Sequence, residues 1–147
     1  MRYTNTEKEV NYRNGMGDWL KNYSFDEKGK DWDYCVGLSY RRKVTQTHIG
    51  KRNWVNLYNQ LYTLDNSVYG LVVDELDDIG TGIHHHLIIG SELEFDLFSK
   101  TVESNWKNKG LSDVRRYERR SGWDIANYMT KHLNKTNRNV LDVFNSL

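Results

Sequence analysis

The chain has 147 residues, 21 Lys+Arg against 20 Asp+Glu for a formal net charge of +1, and one cysteine. That length suits one domain with a true core and is short for two, and the near-neutral balance does not by itself announce a nucleic-acid partner. A lone Cys35 excludes an internal disulfide framework, no apolar run approaches the ~20 residues that cross a bilayer, and the polar N-terminus lacks a signal-peptide core, so the expectation is a soluble cytoplasmic protein with no membrane partner.

Proline is absent, so turns fall to Gly, Asn, Asp and Ser. Residues 1–31 read as a polar N-terminal extension with scattered aromatics (Tyr3, Tyr12, Trp19, Tyr23, Phe25) and a short helix near Asp18 to Tyr23, either docked or an arm. Residues 32–147 read as the domain. Its first strand is Trp32 to Tyr40, where Tyr34, Val36, Leu38 and Tyr40 alternate with Cys35, Gly37 and Ser39. Gly37 lets a backbone or ligand approach closely. Arg41-Arg42-Lys43 at the strand exit is a solvated turn or a phosphate contact. Thr47 to Tyr62 carries Ile49, Trp54, Leu57, Tyr58 and Leu61 at helical spacing, which is core packing. Val68 to Glu75 is a second strand, and Asp77 to Gly82 a loop that returns the chain antiparallel.

Gly82-Ile83-His84-His85-His86-Leu87-Ile88-Ile89-Gly90 follows, an apolar run bounded by glycines and therefore a buried strand. Side chains alternate on a strand, so His84 and His86 share one face and His85 takes the other. Two imidazoles on one face can hold a divalent cation; three histidines satisfied by hydrogen bonds are the plain alternative. Ser91 caps a helix with Leu93, Leu97, Phe98, Val102 and Trp106 on its core face, ended by Lys109-Gly110. Leu111 to Glu118 is a fourth strand, and Arg115, Arg116, Arg119 and Arg120 suggest an anion-facing surface. Trp123 to Asn134 is the last clear helix, with Ile125, Ala126, Met129 and Leu133 on an apolar arc and Asp124, Tyr128, Lys131, His132 and Lys135 beside it. Thr136 to Leu147 reads as a short terminal helix. No Lys or Arg occurs from Asp65 to Ser99, whereas Lys100 to Arg138 is rich in both, so the histidines lie in the acidic stretch. The order βαββαβα, with a mostly antiparallel sheet, predicts an α+β domain of the ferredoxin-like or RRM-like class.

Three ordered motifs resemble those of the HUH endonucleases, most closely the single-tyrosine initiators of rolling-circle replication in plasmids and single-stranded DNA phages and viruses. Val36-Gly37-Leu38-Ser39-Tyr40 is similar to the first motif, His84-His85-His86-Leu87-Ile88-Ile89 to the second and Tyr128-Met129-Thr130-Lys131 to the third. Two departures stand out: His85 where the family has an apolar residue, and His132 where many members have a second tyrosine. The resemblance spans about residues 32 to 135. It implies nicking and rejoining of single-stranded DNA at an origin through a covalent 5′-phosphotyrosine on Tyr128, with Lys131 near the nucleophile. It also implies Mg²⁺ or Mn²⁺ on His84, His86 and an acidic residue of the preceding strand. Glu75 is the candidate; Asp74, on the opposite strand face, is the reserve. Zinc would also suit the donor types.

DNA contacts are expected from Ser39, Tyr40, Arg41, Arg42, Arg115 and Lys135. The implied partners are a single-stranded origin (a hairpin among its forms), host replication machinery and a separate helicase, since the chain has no phosphate-binding Gly-Lys-Ser/Thr loop. A monomer in the host-cell cytoplasm is expected. The alternatives are a transposase or relaxase with the same chemistry, a non-catalytic DNA-binding module on the same fold, and an unrelated zinc-binding structural domain. The last is disfavoured by the absence of cysteines near the histidines.

Overall fold

The computed structural model describes residues 19, 22–76, 82–118 and 139–144. Five strands form one antiparallel sheet: β1 (Tyr34–Tyr40), β2 (Tyr69–Leu76), β3 (Ile83–Gly90), β4 (Gly110–Arg116) and β5 (Asn139–Phe144), in the spatial order β4-β1-β3-β2-β5. Helix α1 (Thr47–Leu64) joins β1 to β2, and α2 (Phe95–Trp106) joins β3 to β4. The first four strands and two helices thus have the ferredoxin-like order, and the fold class is α+β as the sequence pattern implies. β5 adds a strand at the outer edge of β2, with Gly70 opposite Phe144 and Glu75 opposite Asn139.

Residues of alternate parity divide the sheet into two faces. On one, Tyr34, Val36 and Leu38 of β1, Val72 of β2 and Leu87 and Ile89 of β3 meet Trp54, Leu57 and Leu61 of α1 and Phe98, Val102 and Trp106 of α2. Tyr34 and Phe98 stack at 4.2 Å. Full burial of such side chains stabilises by roughly 1.5–3 kcal/mol each, which makes this layer the main core. On the other face Tyr69, Leu71, Val73 and Ile88 pack with Trp32 and are partly covered by Tyr23. Residues 22–28 are helical, so this end of the N-terminal extension is docked. Ser24 Oγ donates to the Lys30 carbonyl at 2.7 Å and lies 2.5 Å from the Tyr69 hydroxyl.

Three local expectations need correction. Thr136 to Leu147 reads as a helix, but residues 139–144 form β5. Val140-Leu141 and Val143-Phe144 suit either period, and the free edge of β2 offers a ladder of backbone hydrogen bonds that a short terminal helix lacks. Ser91 does not cap α2, which begins at Phe95 behind Glu94 without a side-chain cap. Instead Ser91 Oγ donates to Asp65 Oδ2 at 2.8 Å, tying the end of β3 to the entrance of β2. Leu97 faces outward at 47% exposure, leaving the core face of α2 to Phe98, Val102 and Trp106. The helix expected at Trp123 to Asn134 lies outside the described residues.

Candidate functional site

The β2–β3 ribbon carries the site. Its register sets Glu75 opposite His84, Asp74 opposite His85 and Val73 opposite His86. Strand alternation then sorts the polar groups by face. Glu75, His84 and His86 lie on the face away from α1 and α2, whereas Asp74 and His85 point into the helical layer. His86 Nε2 donates to Glu75 Oε2 at 2.9 Å, with side chains 20% and 28% exposed. His84 is exposed.

An open depression of about 390 Å³ lies beside these groups, lined among others by Gly37, Ser39, His84, His86, Leu111 and Asp113. Gly37 is flanked by His86 on β3 and Asp113 on β4. A Cβ there would meet nothing nearer than the Asp113 Cβ at 4.0 Å, so packing does not demand a glycine. Its effect is to keep the floor of the groove low beside His86.

Two imidazoles and a carboxylate on one sheet face suit a divalent cation by donor type. Glu75 and His86 are already in contact, and directly opposed strand residues such as Glu75 and His84 have Cβ atoms about 5 Å apart. As their side chains stand, no three His, Cys, Asp or Glu groups among the described residues converge closely enough to hold a metal ion. The donor types and their shared sheet face therefore fit a cation, whereas the side-chain positions do not bring them together.

Asp74 does not serve as the reserve ligand. It is 2% exposed and accepts a hydrogen bond from His85 Nδ1 at 2.5 Å, on the far side of the strand from His84 and His86. Tyr40 also faces the helical layer, where its hydroxyl donates to His85 Nε2 at 2.6 Å and accepts from Asn53 Nδ2 at 3.2 Å. That placement argues against the expected DNA contact at Tyr40. Burial, with the nearby Asp74 carboxylate adding to it against the Asn53 hydrogen bond, pushes the Tyr40 phenol up to about 12.

The remaining expected contacts are spread around the groove. Ser39 lines it, its carbonyl accepting from Trp106 Nε1 at 2.9 Å. Arg41 and Arg42 are exposed at the β1 exit, with Arg41 Nη2 donating at 3.4 Å to the Lys107 carbonyl. Arg115 is exposed, and its Nε donates to Asp113 Oδ2 at 3.0 Å. Tyr128, Lys131 and Lys135 lie outside the described residues. Asp113 and the Asp74–His85–Tyr40–Asn53 chain escape the motif-based expectation. Strand alternation alone could have matched Asp74 with His85, since the same parity argument already sets both off from Glu75 and His84.

No family model, characterised protein or solved structure matches the chain in comparisons with known proteins. No helix among the described residues is long and apolar enough to cross a membrane.

Proposed function

We propose that this chain is a metal-dependent enzyme that nicks and rejoins single-stranded DNA at a replication origin, an initiator of the HUH type. The observation that carries the reading is the shared face of His84, His86 and Glu75 beside a groove floored by Gly37. It is supported by the ferredoxin-like strand order and by the Tyr128-to-Lys131 spacing in the sequence.

His84, His86 and Glu75 would hold Mg²⁺ or Mn²⁺, which when bound supplies charge neutralisation at the scissile phosphate. The Tyr128 phenolate oxygen attacks phosphorus, a new P–O bond forms, and the bond to the 3′ oxygen breaks. The products are a 5′-phosphotyrosine and a free 3′-OH, whose return attack rejoins the strand. Lys131, one helical turn from Tyr128 on the expected helix, supplies positive charge near that phosphate. Ser39, Arg41, Arg42, Arg115 and Lys135 contribute to binding the strand. The partners on this reading are the origin DNA, host replication machinery and a separate helicase, with the chain acting as a cytoplasmic monomer.

The direct test mixes the protein with a pool of single-stranded oligonucleotides and Mn²⁺, then denatures it. A DNA adduct that survives denaturation and is abolished by chelator is expected. Failure to form any adduct across the pool would overturn the reading.

A further inference from the structure

We propose that the buried chain Asp74–His85–Tyr40–Asn53 is a register lock for the histidine strand, and that Asp74 and His85 are positioning residues for the metal-binding face behind them. The proposal rests on the nuclease reading only for what that face is used for.

The lock answers a weakness in β3. Its core-facing residues other than His85 are Ile83, Leu87 and Ile89, all buried and nearly interchangeable in shape. A slip of two residues against β2 would leave each of these side chains on its own face and exchange one aliphatic contact for another. That slip would also move His84 away from Glu75, which it now opposes. Aliphatic packing on the core face therefore resists it weakly, while on the reverse face Gly90, which leaves room for the Tyr69 ring, adds to the register. Asp74–His85 resists it strongly, because each partner occurs at only one position of the core face. Any other register strands a carboxylate and an imidazole in the apolar layer.

The surroundings are built around the imidazole. His85 is 0% exposed. Its two ring nitrogens are both engaged, Nδ1 with Asp74 at 2.5 Å and Nε2 with Tyr40 at 2.6 Å. Asn53 of α1 donates to the same Tyr40 oxygen, so β1, β2, β3 and α1 each contribute one member. Donors and acceptors run in one direction, Asn53 N–H to Tyr40, Tyr40 O–H to His85 and His85 N–H to Asp74, which leaves no clash of like groups. Trp106 of α2 meets the ring edge-on at 5.9 Å. Gly50 of α1 leaves the space above it: a Cβ there would stand 2.9 Å from His85 Cε1. On the reverse of the same ribbon, Glu75 and His86 form the matching carboxylate–imidazole pair at 2.9 Å. The buried pair thus sets which residue of β2 faces which residue of β3, one position away from the proposed ligands.

The test uses the full chain, ¹⁵N-labelled at histidine, with and without Mn²⁺. Asp74→Leu/His85→Leu replaces the pair by apolar side chains and removes the unique match while keeping the layer apolar. The expected result is a cooperative melt, with His84 and His86 imidazole signals split or broadened in the metal-free protein and Mn²⁺ affinity reduced at least tenfold. A single parental set of His84 and His86 signals in the variant would overturn the lock. The imidazole signals are read without metal, so a parent chain that bound no Mn²⁺ would count against the nuclease reading alone. Should the double variant lack a cooperative melt, Tyr40→Phe probes the outer end of the chain. Deuterium exchange at β3 amides rising at least tenfold supports the lock, and exchange unchanged from the parent overturns it.

Discussion

At the scale of single residues, the acids separate into buried ones that hold the fold and more exposed ones that face the groove. Asp65 is the clearest of the first kind. It accepts from the Ser67 backbone N–H at 3.0 Å, the Ser91 hydroxyl at 2.8 Å and the Glu92 backbone N–H at 2.8 Å, as well as from the Ser67 hydroxyl. Burial alone would raise its pKa, but these hydrogen bonds from Ser67, Glu92 and Ser91 together hold the carboxyl below its ordinary value. A depressed folded-state pKa stabilises the fold above the unfolded value and is lost as pH falls through the folded one. Asp65→Asn is therefore expected to lower stability at pH 7 by about 1–3 kcal/mol in urea melts, with the deficit shrinking below about pH 4. A deficit independent of pH would contradict the assignment. Tyr40 makes the complementary point. Its hydroxyl is committed inside the helical layer, donating to His85 and accepting from Asn53, and burial pushes its phenol up to about 12. Its motif position suggests DNA, but alternation with Tyr34, Val36 and Leu38 already sets it on the core side, and the fold supplies its partner there, His85.

At the scale of elements, the two faces of the β2–β3 ribbon predict opposite phenotypes for adjacent histidines. His84→Ala and His86→Ala remove side chains from the groove face and are expected to abolish Mn²⁺-dependent adduct formation with the thermal midpoint nearly unchanged. His85→Ala strands the buried Asp74 and is expected to cost about 3–5 kcal/mol of stability. Full cleavage by the His84→Ala/His86→Ala double variant in chelator would end the metal assignment. Gly50→Ala gives a second contrast in sign. In an exposed helix interior the exchange stabilises by about 1 kcal/mol, but here the new methyl would press on His85 at 2.9 Å, so a lower melting temperature is expected. The sequence revealed these elements unevenly, for physical reasons. β1 and β3 were legible because Tyr34, Val36 and Leu38, and the glycine-bounded histidine run, have an unmistakable period. α1 was legible from Trp54, Leu57 and Leu61. β5 was not, because a six-residue segment with paired aliphatics carries no period of its own and is fixed by pairing with a strand far away in the chain, Gly70 opposite Phe144 and Glu75 opposite Asn139.

At the scale of the whole molecule, the DNA binding that the proposed function requires would have to come from charge distribution, since the net charge is only +1. The groove face carries Glu75 and Asp113, so a strand entering there needs basic groups at its margins. Arg41 and Arg42 stand exposed where β1 ends, near the Ser39 end of the groove. Arg115 lies on the groove face of β4, yet its guanidinium is already matched by Asp113 at 3.0 Å, with both side chains well exposed. Each phosphate neutralised on a single strand contributes about 0.7 to the slope of log affinity against log salt. Arg41→Gln/Arg42→Gln is accordingly expected to flatten that slope by about 1.4, weakening binding to all single-stranded sequences alike. Arg115→Gln is expected to change it by less than about 0.7, because releasing Asp113 from its partner adds a repulsive charge without removing a fully available positive one. Titrating a fluorescent oligonucleotide at several salt concentrations measures both slopes. A parental slope near zero would exclude this surface as the path of the strand, and a larger loss at Arg115 than at the Arg41–Arg42 pair would place the phosphates on β4 instead.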